Sequence, residues 1–296
     1  LLDRSLRNLR ALYTRVGEGG VLAAGIPWYV TNFGRDSLIA SHQLLAVNTR
    51  PAREALELLA ARQGTEENDW RDEQPGKILH EVRDGELARA GIMPHSPYFG
   101  SVDSTPWFLI LYAQHLRWTG EAEFARGLLP AAEAALGWID RYGDLDGDGF
   151  VEYLCRSPRG IRNQGWKDSH DSMVHADGRL AEPPIALSEV QGYVYLAKTR
   201  MADVYRALGR PEDALRLEDG AERLKVRFNE AFWMEDERFF AAALDADKQQ
   251  VRTLMSNPGH CLYSGIVDED KALPLAKRLL APDMFSGWGV RTMSRS

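Results

Sequence analysis

The chain has 296 residues, 44% hydrophobic and 27% charged, and its acidic residues outnumber the basic ones 43 to 36, for a formal net charge of −7. That composition is globular and excludes a disordered, collagen-like or coiled-coil chain. The acidic balance argues against a nucleic-acid partner, and apolar stretches such as 107–112 are far too short to span a bilayer. Two cysteines, Cys155 and Cys261, exclude a disulfide framework and point to a reducing, cytoplasmic setting. The chain opens on Leu1 and closes just after a Gly-Trp-Gly turn, so 1–296 is expected to be one piece of a longer domain, cut at both ends, with no internal linker.

Helical periodicity dominates in chain order. Leu2, Leu6, Leu9 and Leu12 share one helix face. Asp36 is placed to cap a helix carrying Leu38, Ile39, Leu44 and Leu45. Pro51 opens another with Leu56, Leu58 and Leu59, ended by Gly64. Asp103 or Ser104 caps a strongly apolar helix over 106–118; Gly120 breaks it, and a second helix covers 121–142. A long pair, 188–208 and 211–232, turns at Gly209-Arg210, and a shorter pair lies near 259–266 and 268–280. Strand signals are few and local, at 150–153 and 238–240.

Long Gly-, Pro- and aromatic-rich segments separate the pairs, at 17–35, 64–103, 143–187 and 233–258. Loops of that length are uncommon in compact domains and usually functional. Their recurrence with the helix pairs predicts an all-α ring of helix hairpins, an incomplete α/α toroid with small local β hairpins in its loops. Aromatic, carboxylate, Arg and His residues concentrate in the same segments: Trp28, Phe33, Arg35 and Asp36; His80 and Glu81; Asp103 and Trp107; Trp166, Lys167 and Asp168; Glu189 and Gln191; His260; and Trp288. Sugars suit this mixture. Their C–H faces lie on aromatic rings, and their hydroxyl rims take bidentate polar partners. The bland alternative is that the rings are core and the polar groups are caps.

The string Ile26-Pro27-Trp28-Tyr29, followed by Phe33-Gly34-Arg35-Asp36, resembles the bacterial amylo-1,6-glucosidase-type glycogen debranching proteins, which are grouped with glucoamylase-like and glucosidase-I-like (α/α)6 hydrolases. The likeness extends through Pro-Gly-Lys-Ile at 75–78, His80-Glu81, 103–106, 165–169 and 286–292. Each motif alone is weak; their order and spacing carry the resemblance. It implies that Arg35 and Asp36 grip neighbouring sugar hydroxyls. It implies that Asp168, in a Trp-x-Asp motif, is the general acid, kept protonated by partial desolvation against Trp166. It also implies that Glu189 and Gln191 touch the sugar or orient the acid. Lys167 would lower that acid's pKa unless it points away, and Asp171 is the substitute candidate. The inverting mechanism of the class needs a second carboxylate roughly 6.5–9.5 Å from the first. The resemblance places that base beyond Ser296, although Glu81, Asp103 and Glu189 lie within the chain.

The implied activity is hydrolysis of α-1,6 glucosidic branches. The alternatives are hydrolysis of a small glycoside of the mannosylglycerate type, or a non-catalytic carbohydrate-binding or helical-repeat module. The expected partner is a carbohydrate, with oligomeric state left open and no cofactor required. A structural calcium ion is suggested by Asp144, Asp146, Asp148 and Glu152, which match the first part of an EF-hand-type loop; position 12 is Cys155, so the bidentate Glu is missing. The alternative there is an Asp-Gly turn entering a short strand.

Overall fold

A computed structural model describes residues 2–17 and 19–295. The chain forms two compact units. The first runs to Tyr142 and takes back Cys155–Ile161; the second comprises Gly143–Leu154 and everything from Arg162 onward. No linker marks the exchange in the sequence, because it is set by distant contacts. In the first unit Asp72 Oδ1 accepts from the backbone N–H groups of Arg156 (2.7 Å) and Ser157 (3.1 Å), which ties the returning segment down.

The first unit contains α1 (Leu2–Leu12), an antiparallel hairpin of β1 (Tyr13–Val16) and β2 (Gly19–Leu22), α2 (Gly34–Leu44), α3 (Arg50–Ala60), the short α4 (Glu86–Arg89), α5 (Ser104–Thr119) and α6 (Ala122–Trp138). Helix α5 is buried continuously from Ser104 to Ala113. A helix apolar on every side must be enclosed, and α2, α3 and α6 pack around this one. Helix α3 buries only a stripe of Pro51, Ala52, Ala55, Leu56 and Leu59, and so lies on the outside. Helix α6 ends at Trp138 in a wider π turn, short of the predicted 142.

The second unit is built on the antiparallel pair α7 (Ser188–Ala207) and α8 (Pro211–Ala231). Gly209 sits in their turn at φ +78°, a conformation that side chains resist. Helix α9 (Gly259–Ser264) packs on α7, and α10 (Glu269–Leu279) follows it. Between the helix pairs lie two small antiparallel sheets: β3 (Ala186–Leu187) with β6 (Ala243–Leu244) and β7 (Gln250–Val251), and β4 (Trp233–Met234) with β5 (Phe239–Phe240). The Phe228 ring stacks on Phe232 at 4.8 Å and on Phe240 at 4.9 Å, which fastens β5 to the end of α8.

Helix pairs and turns thus fall close to their predicted places, with three departures. Helix α2 starts at Gly34 with Phe33 at its N-cap, so Asp36 lies in the first turn and makes no cap. There its charge still suits the helix dipole. The β1–β2 hairpin takes up part of a segment read as loop. Only one bridge, Tyr153 to Ile185, forms where a strand was expected at 150–153. Among the described residues no helix is long and apolar enough to cross a membrane.

Candidate active site

Two clusters of the predicted residues are found, one in each unit, and each gathers at the N-terminus of a buried helix.

In the first unit the entry to α2 is fixed by close packing. Gly34 N–H donates to His80 O at 2.8 Å, and a Cβ at position 34 would lie 2.1 Å from Leu79 O, so only glycine fits. That approach carries Arg35 inside, where Nη1 straddles both carboxylate oxygens of Asp103 at 3.0 Å each. Asp103 is the N-cap residue of α5 and fully buried. Its Oδ1 also accepts from Ser101 Oγ at 2.7 Å, and Ser101 Oγ in turn receives the Ser104 N–H that a cap would satisfy. Asp103 thus holds the N-cap position expected of it, but its carboxylate anchors Arg35 and makes no capping bond.

Beside this pair, His80 is buried between Phe33 (5.6 Å, edge-on) and Tyr98 (6.1 Å, edge-on). Burial, reinforced by the Arg35 charge, pushes its pKa down to about 4, so the imidazole is neutral. Glu81 is held by His95 Nδ1 and by Arg83 Nε at 2.5 Å. Burial raises the Glu81 carboxyl, but His95, His80 and Arg83 together outweigh it and hold the pKa below the ordinary value. Arg83 also lies over the Tyr29 and Phe33 rings at 5.6 and 5.3 Å and donates to Trp28 O. It thereby supports an aromatic surface at Trp28 (79% exposed) and Tyr29. Trp107 is a core residue, edge-on to His42 at 5.7 Å, not the open sugar platform expected. Phe33 is likewise buried.

In the second unit the loop of 163–172 is pinned internally. Asn163 Nδ2 donates to Ser169 O (2.7 Å), Ser172 Oγ to Lys167 O (2.6 Å), and Tyr153 OH to Asn163 Oδ1 (2.8 Å). Trp166, 40% exposed, stands 4.8 Å from the His260 ring. His260 Nδ1 shares a hydrogen bond with Tyr193 OH at 2.8 Å. Lys167 reaches Thr292 O at 2.6 Å, so its ammonium is drawn to the segment near 292. Burial, opposed in part by Glu189, pushes the Lys167 pKa down to about 8. Asp168 and Asp171 are exposed. Asp168 is therefore not enclosed by its own loop.

Glu189 is fully buried in the first turn of α7, and its Oε1 accepts from Asn257 Nδ2 at 2.8 Å. Gln191 is also fully buried and is spent on backbone: its Oε1 accepts from Val151 N (2.9 Å), and its Nε2 donates to Val151 O (2.7 Å) and Leu187 O (3.1 Å). It is a strap for the 143–154 segment and offers no surface to a sugar. Trp288 is the opposite case, 99% exposed on a turn whose Ser286 Oγ accepts the Trp288 and Gly289 N–H groups. Asn257, Tyr193 and His95 are not among the site residues read from the sequence, although Asn257 and His95 lie in the long segments 233–258 and 64–103.

The acidic loop can be compared directly with the calcium expectation. Ligand oxygens of Asp144, Asp146 and Asp148 lie within 4.8 Å of one another. The Lys248 ammonium sits among them, 2.8 Å from Asp146 and 2.7 Å from Asp148, and is also paired with Glu152. A group of carboxylates that could hold a metal ion is thus met by an ammonium of the chain itself, and no step is routed through a metal. Cys155 and Cys261 are not bridged: Cys155 Sγ lies 3.4 Å from Ser157 O and Cys261 Sγ 3.3 Å from Ser188 O.

Residues 29–296 match the family model of the mannosylglycerate hydrolase MGH1-like glycoside hydrolase domain. Among solved structures the chain is similar to the family 63 mannosylglycerate hydrolase of Thermus thermophilus in complex with Tris, with a TM-score of 0.66 at 15% identity, covering 93% of this chain and 75% of that one. The same enzyme with Tris and D-glycerate gives a TM-score of 0.66 at 13% identity, covering 98% and 83%. A family 78 rhamnosidase of Bacillus sp. GL1 gives 0.61 at 15% identity, covering 86% of this chain but only 23% of that one. At such identities the likeness shows a shared fold. No curated protein sequence matches the chain.

Proposed function

The chain belongs to the mannosylglycerate hydrolase MGH1-like glycoside hydrolase family, and on that basis we propose that it hydrolyses a small glycoside with an anionic aglycone, of the mannosylglycerate type, in preference to α-1,6 branches of glycogen-like glucans. The observation that carries this reading is the family match over 29–296. Lys167 supports it: an ammonium next in sequence to the acid candidate, with one proton engaged by Thr292 O, retains donors for the carboxylate of such an aglycone. A neutral glucan branch has no group that needs this charge. The toroid architecture, with further hairpins outside 1–296, and a cytoplasmic location are part of the same proposal.

Asp168 is assigned as the general acid that protonates the leaving glycosidic oxygen. The exposed face of Trp166 takes the C–H face of the sugar. Sugar seated there would cover Asp168 and supply the desolvation that the loop alone lacks, which raises the carboxyl pKa when substrate is bound. In the first unit, Trp28 and Asp36 are the predicted residues with surface open to a ligand. Arg35, His80 and Asp103 act by holding that segment in place. The three internal candidates for the second carboxylate are all buried, Asp103 on Arg35, Glu189 on Asn257, and Glu81 on His95 and Arg83. The base of an inverting pair is assigned outside 1–296, as the resemblance to the (α/α)6 hydrolases implies.

The test is release of free sugar by the full-length protein from mannosylglycerate and, in parallel, from a branched α-1,6 glucan, with Asp168→Asn alongside. The expected result is turnover of mannosylglycerate alone, reduced at least about 100-fold in Asp168→Asn with KM changed only a few-fold. Turnover of the glucan alone overturns the substrate assignment. Binding of either without turnover by the unmutated protein makes it a carbohydrate-binding module. Near-normal rates in Asp168→Asn pass the acid role to Asp171.

A further inference from the structure

The loop Gly143–Leu154 carries more negative charge than its turns need. Asp144 accepts from the N–H groups of Gly147 and Gly149, Asp146 from that of Asp148, and Asp148 from that of Phe150. These bonds shape the loop, engage both oxygens of Asp144, and leave Oδ2 of Asp146 and of Asp148 to the Lys248 ammonium. Glu152 adds a carboxylate that is only 3% exposed, whose Oε1 meets Lys248 and whose Oε2 has no hydrogen-bond partner. A buried carboxylate oxygen without a donor is costly, and the same carboxylate meets the Lys248 ammonium through its other oxygen.

That cation is delivered by strained backbone. Lys248 lies in the β6–β7 turn at φ +58°, a region that a residue with a Cβ seldom adopts. The turn is over-determined by Asp245, whose Oδ1 accepts from both Asp247 N (3.0 Å) and Gln249 N (2.9 Å), while Lys248 N–H donates to Asp245 O (2.9 Å). Strain held in place in this way marks a position whose side chain has a task.

We infer that Lys248 is the resident cation of the acidic loop: its ammonium takes the place of the divalent ion that the Asp144–Glu152 pattern suggests, so the loop is locked without metal, and removal of that ammonium uncovers a calcium site. The lock has a purpose within the second unit, because Gln191 grips Val151 of the same loop and thereby couples it to the first turn of α7. The inference does not depend on the proposed substrate, since its readouts are stability and metal binding.

Thermal unfolding and isothermal calcium titration of the full-length protein and of Lys248→Ala test it. For the unmutated protein, Tm is the same in millimolar calcium and in EDTA, and the titration shows no binding. Lys248→Ala melts roughly 5–10 °C lower in EDTA, recovers most of that loss in calcium, and binds calcium at one site. Calcium binding by the unmutated protein, with a Tm that rises on addition and falls in EDTA, overturns the inference, as does a Lys248→Ala protein that is neither destabilised nor responsive. If Lys248→Ala does not accumulate, the titration of the unmutated protein and a Lys248→Gln variant purified in calcium decide the matter.

Discussion

The N-termini of α5 and α7 solve one problem in two ways. Each central helix begins with a fully buried carboxylate, Asp103 in the first unit and Glu189 in the second. Asp103 is matched by a full charge, the Arg35 guanidinium. Glu189 receives a neutral amide from Asn257, and Lys167 lies within reach of its field. Both sit at a helix N-terminus, where the backbone dipole favours a negative group. The difference shows what each cluster can tolerate. A paired buried charge is expensive to break, whereas loss of one amide donor to a carboxylate costs less.

Breaking the charged pair has the largest expected effect. Arg35→Met strands the Asp103 carboxylate and is expected to cost about 3–5 kcal/mol in urea unfolding. Adding Asp103→Asn to that variant removes the stranded charge and is expected to restore more than half of the loss. A double variant no better than the single one would mean that Arg35 acts through packing instead. Next comes the neutral His80 beside the pair. Its pKa is about 4 in the folded chain against an ordinary 6.5, so the unfolded chain binds the extra proton. Stability is therefore full above pH 6.5 and falls as the pH drops toward 4, by up to about 3 kcal/mol. His80→Gln is expected to flatten that slope in unfolding curves taken across the interval. The smallest effect belongs to the second unit. Asn257→Ala removes one amide donor from Glu189 and is expected to cost about 1–3 kcal/mol; a loss equal to that of Arg35→Met would erase the contrast between the two helices.

The helix pairs were legible because their signals are local. The apolar run of α5, broken at Gly120, and the α7–α8 turn at Gly209 each lie within a few residues of the elements they define. Of the small sheets only β5 was legible, in the strand signal at 238–240; the three-stranded sheet was not, because strands of two residues carry no periodicity and β3 finds β6 from far along the chain. The same distinction runs through the clusters. Arg35 and Asp103 were both singled out, but as separate sugar contacts; their pairing across 68 residues is a property of the fold. Gln191 was singled out for its neighbours in a motif, and the structure uses it on backbone instead. Lys248 gave no signal at all, since the glutamate that it pairs with lies 96 residues earlier.

The Gln191 strap has one more consequence. It both accepts from and donates to Val151, in the manner of a neighbouring strand, but from a side chain. Glutamate in its place could answer only the N–H, and asparagine would fall one carbon short of either group. The position thus works as a length gauge, setting the gap between a helix and a loop by the number of methylenes in a single amide.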